Sequence, residues 1–193
     1  MRSRAAAAIL AGLLAAPGAA QGNVVERILA VVDGRPLLLS EVRVLERLRG
    51  LDRKAAVDAL IDERLMFREA ARLPQAVVTA EEEERVYREL AARVPSGAGA
   101  TEEELRRLAR RQTAILKYVE FRFRPQLRVS DQQVRAAFEG DPSAGESFEA
   151  EKEKIRERLE RRALDERVEA WVRELRARAD VRYVGRDAPA AGP

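Results

Sequence analysis

The sequence predicts a mainly helical domain that contains a small antiparallel sheet. Residues 28–32 and 37–39 have the apolar composition of two short strands, and the Asp33-Gly34 pair between them is typical of a tight hairpin turn. Another short apolar stretch, residues 181–184, follows a long charged segment near the other end. Because a lone hairpin is marginally stable in water, we expect this last strand to pair with the first hairpin. The helices between would then project as arms from one closed domain.

Capping residues and helix breakers divide the rest of the chain into helices. Serine, threonine and aspartate side chains accept hydrogen bonds from the free N–H groups of a first helical turn. The predicted N-terminal caps are Ser40, Asp52, Thr79, Thr101 and Ser130. Thr79 and Thr101 are each followed three residues later by a glutamate, which is the spacing of a capping box. The residues predicted to end helices are Gly50, Pro74 and Pro125. A last, highly charged helix is predicted over residues 148–179.

The helix that begins after Thr101 carries two aromatic side chains away from its apolar stripe. The stripe comprises Leu105, Leu108, Gln112, Ile115, Leu116, Val119 and Phe123. Tyr118 and Phe121 point away from it, so they would be exposed if this helix packed on one side only. If the helix packed on two sides, they would be buried instead. Trp171 lies on the apolar stripe of the last helix, and we expect it in the core.

The residue types that are missing exclude several kinds of chemistry. The chain has no cysteine and no histidine, so it has no disulfide, thiol nucleophile, imidazole base or histidine-based zinc site. Its acidic runs, residues 81–84 and 102–104, follow predicted caps, where negative charge stabilises the helix N-terminus. No phosphate-binding glycine loop or hydrolase motif occurs. We therefore expect no catalytic residue, no metal site and no cofactor, and we do not expect an enzyme.

The first twenty residues predict a cleaved signal peptide. Arg2 and Arg4 precede an apolar run over residues 5–16, and residues 18–20 are small enough for a cleavage site. The run is short for a bilayer span, which needs roughly 20 apolar residues. An N-terminal anchor that stays attached is the alternative. The expected product is an exported chain without a membrane span.

Charge gives little support for a nucleic-acid partner. The chain has 36 basic and 33 acidic residues, so removing Arg2 and Arg4 with the signal leaves 34 against 33. Basic and acidic residues also alternate closely, which is typical of solvated helix faces. A stripe of one sign, as nucleic-acid binding requires, is missing. We therefore expect no nucleic-acid partner.

Four segments together resemble the SurA-like family of periplasmic chaperones. They are ILAVVDGRPLLLSEVR, ALIDERLMFREAARL, ILKYVEFRFRPQLRVSDQQVRAAFE and IRERLERRALDERVEAWVRELRARADVRYV, in that order behind a signal-like segment. The resemblance implies a helical chaperone core over residues 21–185, in which the two ends of the chain assemble. Residues 140–147 stand where relatives commonly carry a parvulin-type prolyl isomerase domain. Residues 186–193, rich in proline, alanine and glycine, are expected to be a disordered tail.

This resemblance implies an ATP-independent holdase in the periplasm. It would bind unfolded or partly folded exported polypeptides, outer-membrane protein precursors among them, without prolyl isomerase activity. The candidate client-binding residues are Met66, Tyr87, Tyr118 and Phe121. The alternative is an exported structural or adaptor subunit that binds one fixed protein partner. A third hypothesis, a prolyl isomerase, is disfavoured because the chain lacks histidine and cysteine. The oligomeric state stays open.

Overall fold

The computed structural model describes residues 26–94, 100–141 and 147–184. Within these ranges the strands are β1 (Ile28–Val32), β2 (Arg35–Leu38) and β3 (Val181–Tyr183). The helices are α1 (Leu39–Arg49), α2 (Arg53–Ala70), α3 (Ala80–Arg93), α4 (Glu102–Arg122), α5 (Asp131–Glu139) and α6 (Phe148–Arg178). The fold is thus mainly α with a small antiparallel sheet, as predicted. The predicted signal peptide and C-terminal tail lie outside the described residues, as do residues 142–146 of the predicted loop.

The two ends of the described chain meet in one three-stranded sheet. Its strand order is β2-β1-β3, and both pairs are antiparallel. Val31 lies opposite Pro36 on one side and opposite Arg182 on the other. The hairpin turn has positive φ at both central residues, 47° at Asp33 and 77° at Gly34, which matches a two-residue hairpin turn. The predicted pairing of the last strand with the first hairpin is therefore confirmed.

Most helix boundaries follow the predicted capping chemistry. In the box that opens α3, the Thr79 N–H donates to Glu82 Oε2 at 2.9 Å, and the Glu82 N–H donates to Thr79 Oγ1 at 3.2 Å. Equivalent boxes open α4 at Thr101 and α5 at Ser130. At the other end of α1, Gly50 has a left-handed φ of 63°, as a C-terminal cap requires.

The prediction that Ser40 caps the first helix is wrong. Strand β2 runs directly into α1, which already begins at Leu39. Two carboxylates accept hydrogen bonds from backbone N–H groups at this junction. Glu41 accepts from the Leu38 N–H at 3.3 Å, and Glu26 accepts from the Ser40 N–H at 3.0 Å. A strand that passes into a helix without a loop leaves no position for a serine cap.

The hydrophobic core lies between the sheet and the helices α1, α2, α4 and the second half of α6. Its largest fully buried side chains include Leu29, Leu37, Leu45, Leu60, Ile61, Leu65, Leu108 and Leu175. Trp171 is buried in the same cluster, as predicted. Helix α3 contributes a single buried side chain, Leu90, and otherwise packs through partly buried residues such as Val86 and Tyr87.

Helix α5 and the first half of α6 form a separate arm. Val134 and Ile155 are buried there, but neither belongs to the main core cluster. Phe138 and Phe148 meet edge to face with ring centroids 5.4 Å apart. No helix among the described residues combines the length and the apolar character that crossing a membrane would require.

Candidate functional site

An apolar groove lies between α2 and α4 on the outside of the core. It has a volume of 230 Å³ and is lined by Arg49, Ala59, Glu63, Met66, Gln112, Ile115, Leu116 and Val119. Leu116 is 59% exposed, although α4 packs into the core. The groove lies where α2 and α4 leave part of their apolar faces uncovered, so that Leu116 stays open to solvent near the buried Val119.

One of the four candidate client-binding residues lines this groove. Met66 projects from α2 into it and is half-buried. A methionine side chain is unbranched and adaptable, so it can contact apolar groups of different shape. Tyr87, Tyr118 and Phe121 do not line the groove. The structure thus separates the four residues.

Tyr118 takes part in an aromatic cluster between α4 and α6. Its ring stacks on Trp171 with centroids 4.7 Å apart and an interplanar angle of 10°. It also meets Phe123 edge to face at 6.0 Å. Tyr118 is half-buried as a result. Of the two alternatives for this residue, packing of α4 on two sides is the one that the structure supports.

Phe121 and Tyr87 lie in different surroundings from Tyr118. Phe121 is 50% exposed, in agreement with the expectation for a side chain off the stripe. Tyr87 is half-buried on α3, and the Arg106 guanidinium carbon lies 4.2 Å from the centre of its ring. This cation–π contact covers one face of the Tyr87 ring. Phe121 therefore remains accessible, whereas one face of Tyr87 is occupied.

Leu116 is the groove residue that sequence reasoning missed. It belongs to the predicted apolar stripe of α4, and its exposure shows that this part of the stripe is not covered by a neighbouring helix. Leu116 lies on the same face of α4 as the buried Leu105 and Ala109, from which it is separated by 11 and 7 residues. Helical spacing therefore gives no signal that Leu116 would be exposed.

A buried ion-pair network lies beneath the groove. Glu63 on α2 is 3% exposed and Arg111 on α4 is 7% exposed. Arg111 Nε donates to Glu63 Oε1 at 2.6 Å, and Arg111 Nη1 lies 3.8 Å from Glu41 Oε1. Arg64 also pairs with Glu41. Burial, together with the nearby positive charge of Arg111, lowers the pKa of Arg64 despite that pairing. The sequence alone did not predict this network.

The network holds three helices together rather than presenting reactive groups. Glu41 belongs to α1, Glu63 and Arg64 to α2, and Arg111 to α4. Removing one partner of such a buried pair destabilises the fold, because it leaves an unpaired charge away from water. The network therefore fixes the spacing of the two helices that form the groove walls.

A surface ion pair fixes α3 against α4. Lys117 Nζ donates to both Glu82 carboxylate oxygens, at 2.8 and 2.9 Å, and to the Val77 carbonyl at 2.6 Å. The hydrogen bond from Lys117 is the main reason that the pKa of Glu82 is lowered, and the bond from the Thr79 N–H adds to it. The same glutamate thus caps α3 and joins it to α4.

The chemistry of the groove is that of a binding surface. Five of its eight lining residues are aliphatic or thioether side chains, and the other three are Arg49, Glu63 and Gln112. In residues 26–94, 100–141 and 147–184 no group of carboxylates converges in a way that could hold a metal. Comparison of the chain with protein-family models and with curated proteins finds no match. The groove is therefore interpreted from its own shape and composition.

Proposed function

We propose that this chain is an ATP-independent holdase that binds unfolded exported polypeptides in the periplasm. The observation that carries the proposal is the exposed apolar groove between α2 and α4, with Met66 and Leu116 open to solvent. Exposed apolar surface beside polar side chains is typical of a site that binds other chains. The proposal also rests on the resemblance of the sequence to the SurA-like family.

The size of the groove suits weak, reversible binding. Burying one leucine or methionine side chain contributes about 1.5–3 kcal/mol, and part of this is offset by the entropy that an ordered segment loses. A groove with few such side chains therefore holds an apolar segment without trapping it. Release needs no nucleotide under these conditions, because the bound segment dissociates when it folds or finds another partner.

The closed sheet supports the same function by anchoring the helices. Strand β3 pairs with β1, and Tyr183 on β3 donates a hydrogen bond to Asp58 Oδ1 on α2 at 2.6 Å. Arg176 near the end of α6 pairs with Asp62 and donates to the Asp58 carbonyl at 2.9 Å. The α2 wall of the groove is thus tied to the last helix and strand, which gives a rigid surface to a flexible client.

The first test is suppression of aggregation. A urea-unfolded outer-membrane barrel protein is diluted into buffer without ATP, and light scattering is followed with increasing amounts of the purified chain. We expect scattering to fall and to saturate near an equimolar ratio. If a chain shown by circular dichroism to be folded leaves scattering unchanged, the holdase proposal is wrong, and a pull-down for one fixed partner then tests the adaptor alternative.

Variants of the groove test where the client binds. Leu116→Gln and Met66→Gln remove apolar surface from the groove while they keep side chains of similar length. Val77→Gln is the matched control, because Val77 is 67% exposed and lies outside the groove. We expect the double groove variant to need several times more chain for half-maximal suppression, whereas the control behaves as the unchanged chain. Equal effects of both would exclude the groove as the binding surface.

The proposal includes no prolyl isomerase activity. The segment at residues 140–147 is too short to hold the parvulin domain that the resemblance would place there, and the chain lacks histidine and cysteine. We expect no turnover in a proline-peptide assay at concentrations that suppress aggregation. Turnover that scales with the amount of chain would show that the function includes catalysis.

A further inference from the structure

A second cleft lies between the hairpin turn and α2, separate from the apolar groove. It has a volume of 420 Å³, within the usual range of ligand pockets, and it shares no lining residue with the groove. Its lining comprises Val32, Asp33, Arg35, Pro36, Leu37, Arg64, Leu65, Phe67, Arg68, Ala71 and Arg72. The hairpin forms one wall of this cleft, and one face of α2 forms the other.

The cleft has an excess of positive charge. Its lining contains four arginines and one carboxylate, Asp33. Arg68 pairs with Asp33, while the other two arginines on α2 pair with carboxylates outside the lining: Arg64 with Glu41, and Arg72 with Glu69 at 3.2 Å. Arg35 has no ion pair with any residue that the structure describes. The surplus cation therefore lies on the hairpin wall, opposite α2.

Two guanidinium donors in the α2 wall have no hydrogen-bond acceptor in the described part of the chain. They are Nε of Arg64 and Nε of Arg68, and both atoms are buried. Glu69 Oε1 lies 3.8 Å from Arg68 Nε, and this distance is too long for a hydrogen bond. A buried donor without an acceptor is costly, and native structures rarely leave one so. The α2 wall of the cleft thus carries two guanidinium groups whose donors the described chain does not fully satisfy.

The remaining lining is apolar, so a bare anion would fill only part of the cleft. Its apolar residues come from both walls: Val32, Pro36, Leu37, Leu65, Phe67 and Ala71. A matching occupant carries a carboxylate next to an aliphatic or aromatic side chain. We propose that the cleft binds a peptide segment in which an aspartate or glutamate neighbours an apolar residue. This inference rests on the proposed function in one respect, which is that the occupant is taken to be a polypeptide.

The planar guanidinium groups favour a carboxylate as the charged group. Arginine presents several N–H donors in one plane, which matches the two oxygens of a carboxylate. Arg35 on the hairpin and Arg68 on α2 both line the cleft, so each of its two walls carries a guanidinium group. The cleft would thus select acidic and apolar residues together, whereas the groove between α2 and α4 selects apolar residues alone.

Two blocked, fluorescein-labelled peptides test this inference directly. One has the sequence Gly-Leu-Asp-Leu-Gly, and the other replaces the aspartate with asparagine, which keeps the shape and removes the charge. Binding to the full chain is measured by fluorescence anisotropy at low and at physiological salt. We expect the acidic peptide to bind at least about fivefold more tightly, because charge-assisted hydrogen bonds are the stronger kind, and the difference to shrink as salt rises. Equal binding of the two peptides would overturn the inference.

Single arginine variants locate the binding. Arg35→Gln removes the cation that lacks an ion pair, and Arg93→Gln on α3 is the matched control, because it removes the same charge from an exposed position outside the cleft. We expect Arg35→Gln to weaken binding of the acidic peptide about five- to tenfold and the control to leave it within about twofold. Equal weakening by both would show that general charge attraction, not the cleft, binds the peptide.

A second variant tests the α2 wall, with its folding measured as a control. Arg68→Gln removes one unsatisfied donor but also breaks the pair with Asp33, so its thermal unfolding is measured beside its peptide affinity. We expect weaker binding of the acidic peptide with an unchanged helical signal in circular dichroism. Unchanged affinity in a folded variant would count against the cleft. The aggregation assay separates the two proposals: Arg35→Gln should lose acidic-peptide binding and keep suppression, whereas Leu116→Gln should do the reverse.

Discussion

The two halves of helix α6 differ in what they pack against. The second half places Trp171 and Leu175 in the main core, where they meet the sheet and the central helices. The first half packs on α5, where the fully buried side chains are Val134 and Ile155. One 31-residue helix, about 46 Å long, therefore belongs to two regions of very different packing.

This difference indicates that a continuous helix does not make a continuous core. Local stability follows the number of buried apolar contacts, so the arm formed by α5 and the first half of α6 should open more easily than the rest. The core half, in contrast, should unfold only with the whole domain. In the proposed holdase, the groove would thus belong to the more stable part of the domain, and the arm to the part that opens more easily.

The largest effect is expected from the buried ion pair of the core. Glu63→Leu removes the partner of Arg111 and leaves a buried guanidinium with only Glu41, at 3.8 Å, nearby. We expect a loss of about 3–5 kcal/mol in the free energy of unfolding, measured by urea denaturation. The double variant Glu63→Leu/Arg111→Met removes both charges and should recover most of it. A loss below about 1 kcal/mol in the single variant would show that the pair is not buried in solution.

The comparison within α6 is tested by shortening one buried side chain in each half of the helix. Leu175→Ala should lower the free energy of unfolding of the whole domain by about 2–5 kcal/mol, because it leaves a cavity in the main core. Ile155→Ala should instead reduce amide hydrogen-exchange protection only in α5 and the first half of α6, with a smaller shift of the urea midpoint. If both variants destabilise the domain equally, the arm and the core form one cooperative unit.

A moderate effect is expected at the join between β3 and α2. Tyr183→Phe removes the hydroxyl that donates to Asp58 Oδ1 and should cost about 1 kcal/mol in urea denaturation. Burial, aided by this hydrogen bond, raises the pKa of Tyr183 above 10.0. Because the folded-state pKa is the higher one, this contribution is complete below pH 10 and is lost as the pH rises through the folded-state value. The variant should remove that alkaline dependence, and a persistent dependence would assign it to another group.

The smallest effect is expected where α3 meets α4. The hydrogen bond from Lys117 lowers the pKa of Glu82. Hydrogen bonds from Arg88 and Arg106 lower the pKa of Glu84. Since these folded-state values lie below the ordinary one, the stabilisation is present above about pH 4.5 and declines as the pH falls through the lowered values. Thermal unfolding followed from pH 6 to pH 3 should show a small acid loss that Glu82→Gln reduces. The same loss in the variant would exclude this contact.

Capping residues and turns could be predicted from the sequence because their chemistry is local. The boxes at Thr79 and Thr101 join atoms three residues apart, and the positive φ values at Asp33 and Gly34 follow from a two-residue turn. Return of the last strand to the hairpin could also be predicted, because a free hairpin is too weak alone. Ser40 shows the limit of this reasoning, since its role depends on how β2 joins α1 rather than on its own side chain.

The helical class, most element boundaries and the closure of the sheet could be predicted from the chain alone, since they follow from periodicity, capping and the instability of an unpaired hairpin. Which part of each apolar stripe stays open depended on how the helices pack. This packing covered Tyr118 with Trp171 and left Leu116 exposed, although both lie on α4. It also buried Glu63 against Arg111, which are 48 residues apart. Exposure depends on which neighbour a helix meets and at what angle, and a periodic pattern along one helix does not contain that information.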